Sequence, residues 1–139
     1  MPLHMIKLAV GVSDLAELRK LQKLRRKQRG FYCFYTRNMP RQHREILDGG
    51  SIYWVIKGQV QARQRIIGFL PIVNKEGERR HLIKYQATLH PTYLQPRRAF
   101  QGWRYLLDKD APPDRPKGKA GGKGMPPRMV AELRELGLL

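Results

Sequence analysis

Runs of apolar residues separated by turn-forming residues predict a chain rich in short strands. The aromatic run FYCFYT and the run SIYWVI are typical of strands, and strong turn residues follow the later runs. The predicted strands are residues 4–12, 31–36, 51–56, 60–69 and 81–89, with a further strand or extended stretch through 98–106.

Two segments carry helix signals instead. Residues 14–28 begin with Asp14 as a candidate cap, and Gly30 is a natural stop. The predicted apolar stripe of this helix is Leu15, Leu18, Leu21 and Leu24. A short helix over 41–48 follows Pro40. The pattern therefore predicts an α+β fold, with a small, mixed, strongly twisted sheet or a small β-barrel and two helices.

The hairpin around residues 57–59 allows two loop lengths, which give different faces. A three-residue loop pairs Trp54 with Ala62 and keeps one face of the hairpin apolar, whereas a two-residue loop mixes the faces. The predicted buried face is Ile52, Trp54, Ile56, Val60, Ala62 and Ile66. The opposite face is Tyr53, Val55, Gln61, Arg63 and Arg65. We therefore expect an open sheet face on which arginines lie beside a tyrosine.

Chain length and composition predict one domain with an extension. Residues 1–110 are expected to form a single basic α+β domain. Residues 111–127 are rich in proline and glycine and contain no aromatic residue, which predicts a flexible basic linker. Residues 128–139 place Met129, Leu133 and Leu136 on one helical face and predict a short C-terminal helix or tail.

The charge balance indicates a polyanionic partner. The 139 residues include 28 Lys and Arg against 11 Asp and Glu, which gives a formal net charge of +17. Ten of the basic residues fall between residues 18 and 44, where no acidic residue occurs. Because the excess belongs to the folded body, the predicted partner is nucleic acid, RNA before DNA, with the ribosome or tRNA as possible settings.

Aromatic and basic residues interleave in two places, the hairpin face and residues 97–105. Arginine and aromatic side chains together can hold a phosphate by charge and a base by stacking. The predicted nucleic-acid-binding residues are Tyr53, Lys57, Arg63, Arg65, Arg97, Arg98, Trp103 and Arg104. The alternative is that the arginines are solvated and the aromatic residues pack in the core.

Catalytic signals are weak. The four histidines have no metal-ligand spacing, Cys33 is the single thiol, and no phosphate-binding or nucleophile motif occurs. We therefore predict no catalytic residue, cofactor or metal. Two alternatives stay open: a nucleic-acid-processing enzyme that uses Glu45 or Asp48 with His43, and an assembly protein that docks through residues 111–139.

The sequence favours a cytoplasmic location without membrane attachment. No apolar run reaches the roughly 18 to 20 residues that cross a bilayer. The first residues lack a secretory signal pattern, and a single cysteine is typical of a reducing compartment. The oligomeric state is not predicted.

Two long segments, DGGSIYWVIKGQVQARQRIIGF (48–69) and PRRAFQGWRYLLDKDAPPD (96–114), resemble a bacterial family known as domain of unknown function 1489, found mainly in alphaproteobacteria. The segments HMIKLAVGVSDLAEL and TRNMPRQHREILDGG also fit it, so the resemblance spans roughly residues 3–114. It implies no particular activity. In architecture, the chain is also similar to the small barrels of the PUA-like group (PUA, ASCH, EVE and YTH domains), many of which bind RNA or modified bases. That similarity implies a pocket walled by Trp54 or Trp103, with Arg63 and Arg65 on phosphates.

Overall fold

A computed structural model describes residues 2–98 and 100–116, and it confirms an α+β fold. The central feature is one seven-stranded sheet with two helices. The elements are β1 (Leu3–Leu8), α1 (Leu15–Arg29), β2 (Cys33–Thr36), α2 (His43–Leu47), β3 (Ser51–Ile56), β4 (Gln59–Val73), β5 (Arg79–Tyr85), β6 (His90–Pro96) and β7 (Trp103–Leu107), followed by a 3-10 turn at Asp108–Asp110.

The sheet is mixed and open. Its strand order is β2-β5-β4-β3-β1-β7, and β6 pairs with β4 beside this path. The pair β1–β3 is parallel, and the other pairs are antiparallel. In the described residues β2 pairs only with β5 and β7 only with β1, so the path has two ends. The predicted sheet is thus confirmed, and the alternative of a closed barrel is wrong because no pairing joins these ends.

The β3–β4 hairpin differs from its prediction at the tip. Lys57 and Gly58 both have positive φ angles, 51° and 76°, which is typical of a two-residue turn. An extra residue, Gln61, then shifts the register so that Trp54 pairs with Ala62, as predicted. The three-residue loop is therefore wrong. Because the bulge follows Val60, this residue packs with Tyr53 and Val55 rather than on the predicted face.

Helix α1 has local signals at both ends and little burial between them. The Asp14 carboxylate accepts a hydrogen bond from the Glu17 backbone N–H at 2.8 Å, and Gly30 ends the helix with a φ of 85°. Its buried residues are Leu18 and Gln22. The predicted stripe is wrong at Leu24, which is 53% exposed. Leu24 lies nine residues after the start of the stripe, which is two and a half turns and so the opposite side of the helix. Neither described helix is long and apolar enough to cross a membrane.

A close backbone approach joins β1, α2 and β4 at Gly50. Its N–H donates to the Ile46 carbonyl at 2.7 Å, and its carbonyl accepts from the Ile66 N–H at 3.1 Å. A Cβ atom at Gly50 would collide with the carbonyl oxygens of Leu3 and Ile46. The glycine is therefore required by space, and it holds the start of β3 against its neighbours.

Both faces of the sheet are packed. One hydrophobic cluster contains Ile52, Trp54, Phe34 and Tyr85 and lies on the side of α1. The second contains Tyr53, Val55, Val60 and Leu106, with Ala111 packed against it. The second face is therefore covered by chain that follows β7.

The folded body continues beyond residue 110. The Tyr93 N–H of β6 donates to the Pro113 carbonyl at 2.9 Å, and the Arg115 N–H donates to the Pro91 carbonyl at 2.8 Å. Residues 111–115 are thus attached to β6, although the sequence predicts a linker from residue 111. Residues 117–127 of that linker and the predicted helix or tail at 128–139 lie outside the described residues. β6 itself was not predicted, because prolines at both of its ends obscure the strand pattern.

Candidate nucleic-acid interface

The predicted arginine–tyrosine face is covered by the chain itself. Tyr53 and Arg63 are paired across β3 and β4, as the faces predicted. Tyr53 is only 5% exposed, and burial raises its pKa to about 12. The Arg63 guanidinium donates to both carboxylate oxygens of Asp114 at 2.8 and 2.7 Å, and to Ser51 Oγ at 3.0 Å. The expectation of an open face is therefore wrong, because the segment after β7 occupies it.

A histidine fastens the same segment to the sheet. His4 Nδ1 accepts the Ser51 backbone N–H at 3.0 Å, so the proton resides on Nε2, which donates to Asp108 at 2.8 Å. The His4 ring also packs edge-on against Tyr53 at 5.0 Å. The two contacts, His4–Asp108 and Arg63–Asp114, hold residues 108–114 over the sheet. Both are internal contacts that a ligand would have to displace.

Three other predicted residues gather at the tip of the β3–β4 hairpin. The Arg97 N–H donates to the Gly58 carbonyl at 2.7 Å, which places Arg97 beside Lys57. Lys57 and Arg98 are exposed, and Arg97 is half-buried with its Nε donating to Gln95 at 3.3 Å. Arg65 is exposed at the other end of the hairpin, opposite Ser51. The structure thus places Lys57, Arg97 and Arg98 at the hairpin tip, whereas Arg65 remains next to Arg63 along β4.

The remaining predicted pair, Trp103 and Arg104, lies in a depression of about 400 Å³ that we call the β7 groove. The Trp103 indole N–H donates to Thr36 Oγ1 at 3.3 Å, and the Arg104 guanidinium lies 5.4 Å from the centre of the Phe100 ring. Trp103 is half-buried and Arg104 is exposed. The groove is lined by Lys7, Phe34, Tyr35, Thr36, Arg37, Gly102, Trp103 and Arg104.

A second depression, the α1 cavity, lies between α1 and the sheet and has a volume of about 300 Å³. Its lining combines aromatic rings with cations. The aromatic residues are Phe34, Tyr35, Trp54 and Tyr85, and the cations are Lys7, Arg25 and Arg29. Because Lys7, Phe34 and Tyr35 line both depressions, the α1 cavity and the β7 groove adjoin each other. No Asp, Glu or His is among the described residues that line either depression.

No described carboxylate forms an ion pair with the cations that line these two depressions. The ion pairs of the described chain are His4–Asp108, Arg63–Asp114 and Arg80–Glu78. Burial, with a further contribution from the nearby charge of Arg25, lowers the pKa of Lys7. The Arg29 guanidinium lies 4.6 Å from the centre of the Tyr35 ring and donates to the Cys33 carbonyl at 3.0 Å. The cavity therefore concentrates positive charge that no carboxylate within residues 2–98 and 100–116 pairs with.

Two buried groups of the cavity are neutral. Burial raises the pKa of the Cys33 thiol despite the neighbouring Arg29, and burial also raises the pKa of Tyr85. Cys33 is 2% exposed and Tyr85 is 5% exposed. Their protonated forms give the floor an apolar character, in contrast to the cationic rim.

Comparison with known proteins places the chain in a family. The family model described as "Protein of unknown function (DUF1489)" matches residues 5–139. The chain belongs to this family. A search of curated proteins and a search of solved structures each found no match. The family resemblance seen in the sequence is thus confirmed, whereas the similarity to PUA-like domains is not.

Sequence reasoning missed much of the α1 cavity. The missed residues are Lys7, Gln22, Arg25, Arg29, Phe34, Tyr35 and Tyr85, whereas Trp54 and Trp103 had been considered as pocket walls. A signal was present in α1, because Leu18, Gln22, Arg25 and Arg29 follow helical spacing on one face. This stripe is apolar at Leu18 and polar from Gln22 onward, and all four of its residues line the cavity.

The residues of the enzyme alternative lie elsewhere in this DUF1489 chain. His43 Nδ1 lies 3.1 Å from the Pro40 carbonyl, and its ring packs edge-on against Phe69 at 6.0 Å. Glu45 and Asp48 are exposed. Within residues 2–98 and 100–116, no group of three His, Cys, Asp or Glu side chains is placed to hold a metal ion. His43, Glu45 and Asp48 therefore lie outside the described lining of both the α1 cavity and the β7 groove.

Proposed function

We propose that this protein binds nucleic acid, RNA in preference to DNA, through the adjoining α1 cavity and β7 groove. The observation that carries the proposal is the lining of the α1 cavity, in which four aromatic rings and three cations meet without a carboxylate. Trp103 and Arg104, which the sequence also assigns to the interface, line the adjoining groove.

The aromatic residues supply stacking surfaces. Bases in a single strand stack on aromatic side chains, and each such contact is worth about 1 to 3 kcal/mol. Trp103 is half-buried and Tyr35 is 40% exposed, so both present ring surface at the rim. A cavity of about 300 Å³ suits an unstacked base better than a duplex, and sequence-specific RNA recognition mainly uses unstacked bases.

The cations supply phosphate contacts. Lys7, Arg25 and Arg29 surround the cavity, and Arg37 and Arg104 continue the charge along the groove. An anion placed here neutralises charges that now repel each other, such as Lys7 and Arg25. The exposed cations at the hairpin tip, Lys57 and Arg98, would hold more distant phosphates of a longer strand. A cytoplasmic tRNA or ribosomal RNA target belongs to the same proposal.

The proposal is tested with single-stranded RNA of about 20 nucleotides, labelled with a fluorophore, and with DNA of the same sequence. Fluorescence anisotropy at several salt concentrations gives both the affinity and its salt dependence. Changing Arg29 to Ala should weaken RNA binding and lower the salt slope by about 0.7, the value for one phosphate contact in a single strand. Tighter binding of RNA than of DNA is expected.

Arg19→Ala is the matched control. Arg19 is exposed on the same helix, carries the same charge and does not line the cavity. Its substitution should change RNA affinity much less than Arg29→Ala. Equal effects of the two substitutions would show that only the total charge attracts RNA. A wild-type protein that binds neither RNA nor DNA at roughly physiological salt would overturn the proposal.

A further inference from the structure

Three cations from two elements lie around the α1 cavity. Lys7 belongs to β1, and Arg25 and Arg29 belong to the C-terminal half of α1. Burial lowers the pKa of Lys7, and the charge of Arg25 lowers it further. Burial also raises the pKa of the Tyr85 phenol in the cavity lining, and the charges of Arg25 and Arg29 oppose that rise. Arg25 therefore lies near both Lys7 and Tyr85, which places the three cations around one volume.

The charge of these cations is not compensated by the described chain. None of the carboxylates in residues 2–98 and 100–116 forms an ion pair with them. Arg29 donates to the Cys33 carbonyl at 3.0 Å, and the Lys7 Nζ atom lies 6.0 Å from the centre of the Phe34 ring. A half-buried ammonium group beside an arginine is unfavourable, and a bound anion relieves this repulsion.

The amount of charge suits a phosphomonoester better than the phosphodiester of an internal nucleotide. A phosphodiester carries one negative charge. A phosphomonoester carries about 1.5 to 2 negative charges at pH 7, and its three terminal oxygens accept hydrogen bonds. One ammonium group and two guanidinium groups supply enough donors for all three of these oxygens. A phosphomonoester occurs only at an end of a nucleic-acid strand.

The position of the cavity also suits the end of a strand. The cavity shares Lys7, Phe34 and Tyr35 with the β7 groove, but no lining residue with the depressions beside Arg63 and Tyr93. A floor of buried aromatic rings closes its inner side. Its volume of about 300 Å³ is at the small end of ligand sites and suits one nucleotide. A strand that follows the groove therefore reaches the cavity with its last nucleotide.

We infer that the α1 cavity holds the phosphorylated end of an RNA strand, with the terminal phosphomonoester between Lys7, Arg25 and Arg29. This inference rests on the proposed function and names the part of the RNA that enters the cavity. The terminal base lies against the aromatic floor, and the rest of the strand follows the β7 groove past Arg37 and Arg104. A 5′-phosphate and a 3′-phosphate share this chemistry, and the experiment distinguishes the two ends.

The test compares oligouridine RNAs of about ten nucleotides that differ only at their ends. One has a 5′-phosphate, one has a 3′-phosphate and one has hydroxyl groups at both ends. Each competes, unlabelled, with an internally labelled oligouridine in a fluorescence anisotropy assay. At least one phosphorylated RNA should compete about tenfold better than the hydroxyl form, the effect of one additional charge-assisted hydrogen bond. Equal competition by all three RNAs would overturn the inference.

Lys7→Met tests the buried cation, because methionine keeps an unbranched side chain without the charge. This variant should reduce the preference for the phosphorylated end to about twofold or less. Lys84→Met is the matched control. Lys84 is also half-buried, its Nζ atom lies 4.2 Å from the centre of the Phe31 ring, and it lines neither depression. Equal loss of the preference in both variants would show that it depends on total charge, which contradicts the inference.

Arg25→Gln covers the case in which Lys7→Met does not fold, because Arg25 is exposed and its loss leaves the core intact. It should also lower the preference for the phosphorylated end. Free uridine 5′-monophosphate should compete much more weakly than the phosphorylated RNA, and equal competition would show that no strand is required and reject the inference.

The same assay separates this inference from the proposed function. If phosphate-ended and hydroxyl-ended RNAs bind equally while Arg29→Ala still weakens binding, the placement of the strand end is wrong and the proposed function stands. Binding of none of the RNAs would contradict both.

Discussion

The two faces of the sheet contain similar residues in opposite circumstances. On one face, Arg63 lies beside Tyr53, and the chain supplies Asp114 to pair with the arginine and residues 108–114 to cover the tyrosine. On the other face, Arg29 lies beside Tyr35 next to an open cavity, and none of the described carboxylates pairs with it. The first face leaves a depression of about 390 Å³ beside Tyr53 and Arg63, but its cation has an internal counter-ion, whereas Arg29 on the second has none among the described carboxylates.

The difference shows which property marks a site in a strongly basic protein. With a formal charge of +17, arginine next to an aromatic residue is frequent and carries little information. The faces differ in whether each cation has an internal counter-ion, because a cation that is already paired is less available to a ligand. Unpaired cations that surround a cavity are a stronger indication of a ligand than the number of cations.

The attachment of α1 should depend on one leucine. Leu18 is 3% exposed and lines the cavity, so Leu18→Ala removes buried methyl groups and should lower the free energy of unfolding by about 2 to 3 kcal/mol. Leu24→Ala on the exposed side of α1 should change it by no more than about 0.5 kcal/mol. Urea denaturation followed by circular dichroism measures both. Equal losses would mean that α1 packs through a different face.

The folded protein should lose stability at alkaline pH, because Tyr53 on the covered face ionises there. The pKa of Tyr53 in the folded protein is about 12, above the usual value of about 10, so folding favours the neutral phenol. The neutral phenol makes its full contribution to the free energy of unfolding below pH 10. This contribution, about 2 to 3 kcal/mol, is lost as the pH rises towards 12. Tyr53→Phe cannot ionise and should show a correspondingly smaller loss of stability over that interval. Parallel curves for the two proteins would contradict the burial of this phenol.

Removing the Arg63–Asp114 ion pair should change the free energy of unfolding less than either of the preceding changes. Arg63→Ala should lower the free energy of unfolding by roughly 1 kcal/mol, because the side chains of Arg63 and Asp114 are 25% and 40% exposed and solvent screens the pair. Its RNA affinity should fall no more than that of Arg19→Ala. Arg65→Ala, an exposed neighbour on the same strand, serves as the stability control. A large loss of RNA binding with unchanged stability would instead show that Arg63 meets the ligand.

The fold was predictable where the signals are local. Asp14 and Gly30 delimit α1 within one residue of the prediction, and β3 has the predicted bounds of 51–56. Strands with proline, such as β6, and turns with a compensating bulge, such as the one at Gln61, were missed. Their geometry is decided by pairing with distant strands, which a local pattern does not contain.

The candidate site was predictable only in part. Trp103 and Arg104 were expected and do line the β7 groove, and Trp54 was considered as a pocket wall. Lys7, Gln22 and Arg29 come from two separate elements, and no motif links them along the chain. They meet because α1 lies over β1 and β2, which is a consequence of packing.

The sequence by itself determined the α+β class, the basic character of the folded body, the two helices and the family. These follow from composition, short-range patterns and caps, which act within a few residues. Tertiary structure decided which arginines are neutralised and which remain available, because a carboxylate such as Asp114 is 51 residues from its partner Arg63. Coulomb attraction depends on distance in space, and only the folded chain sets that distance.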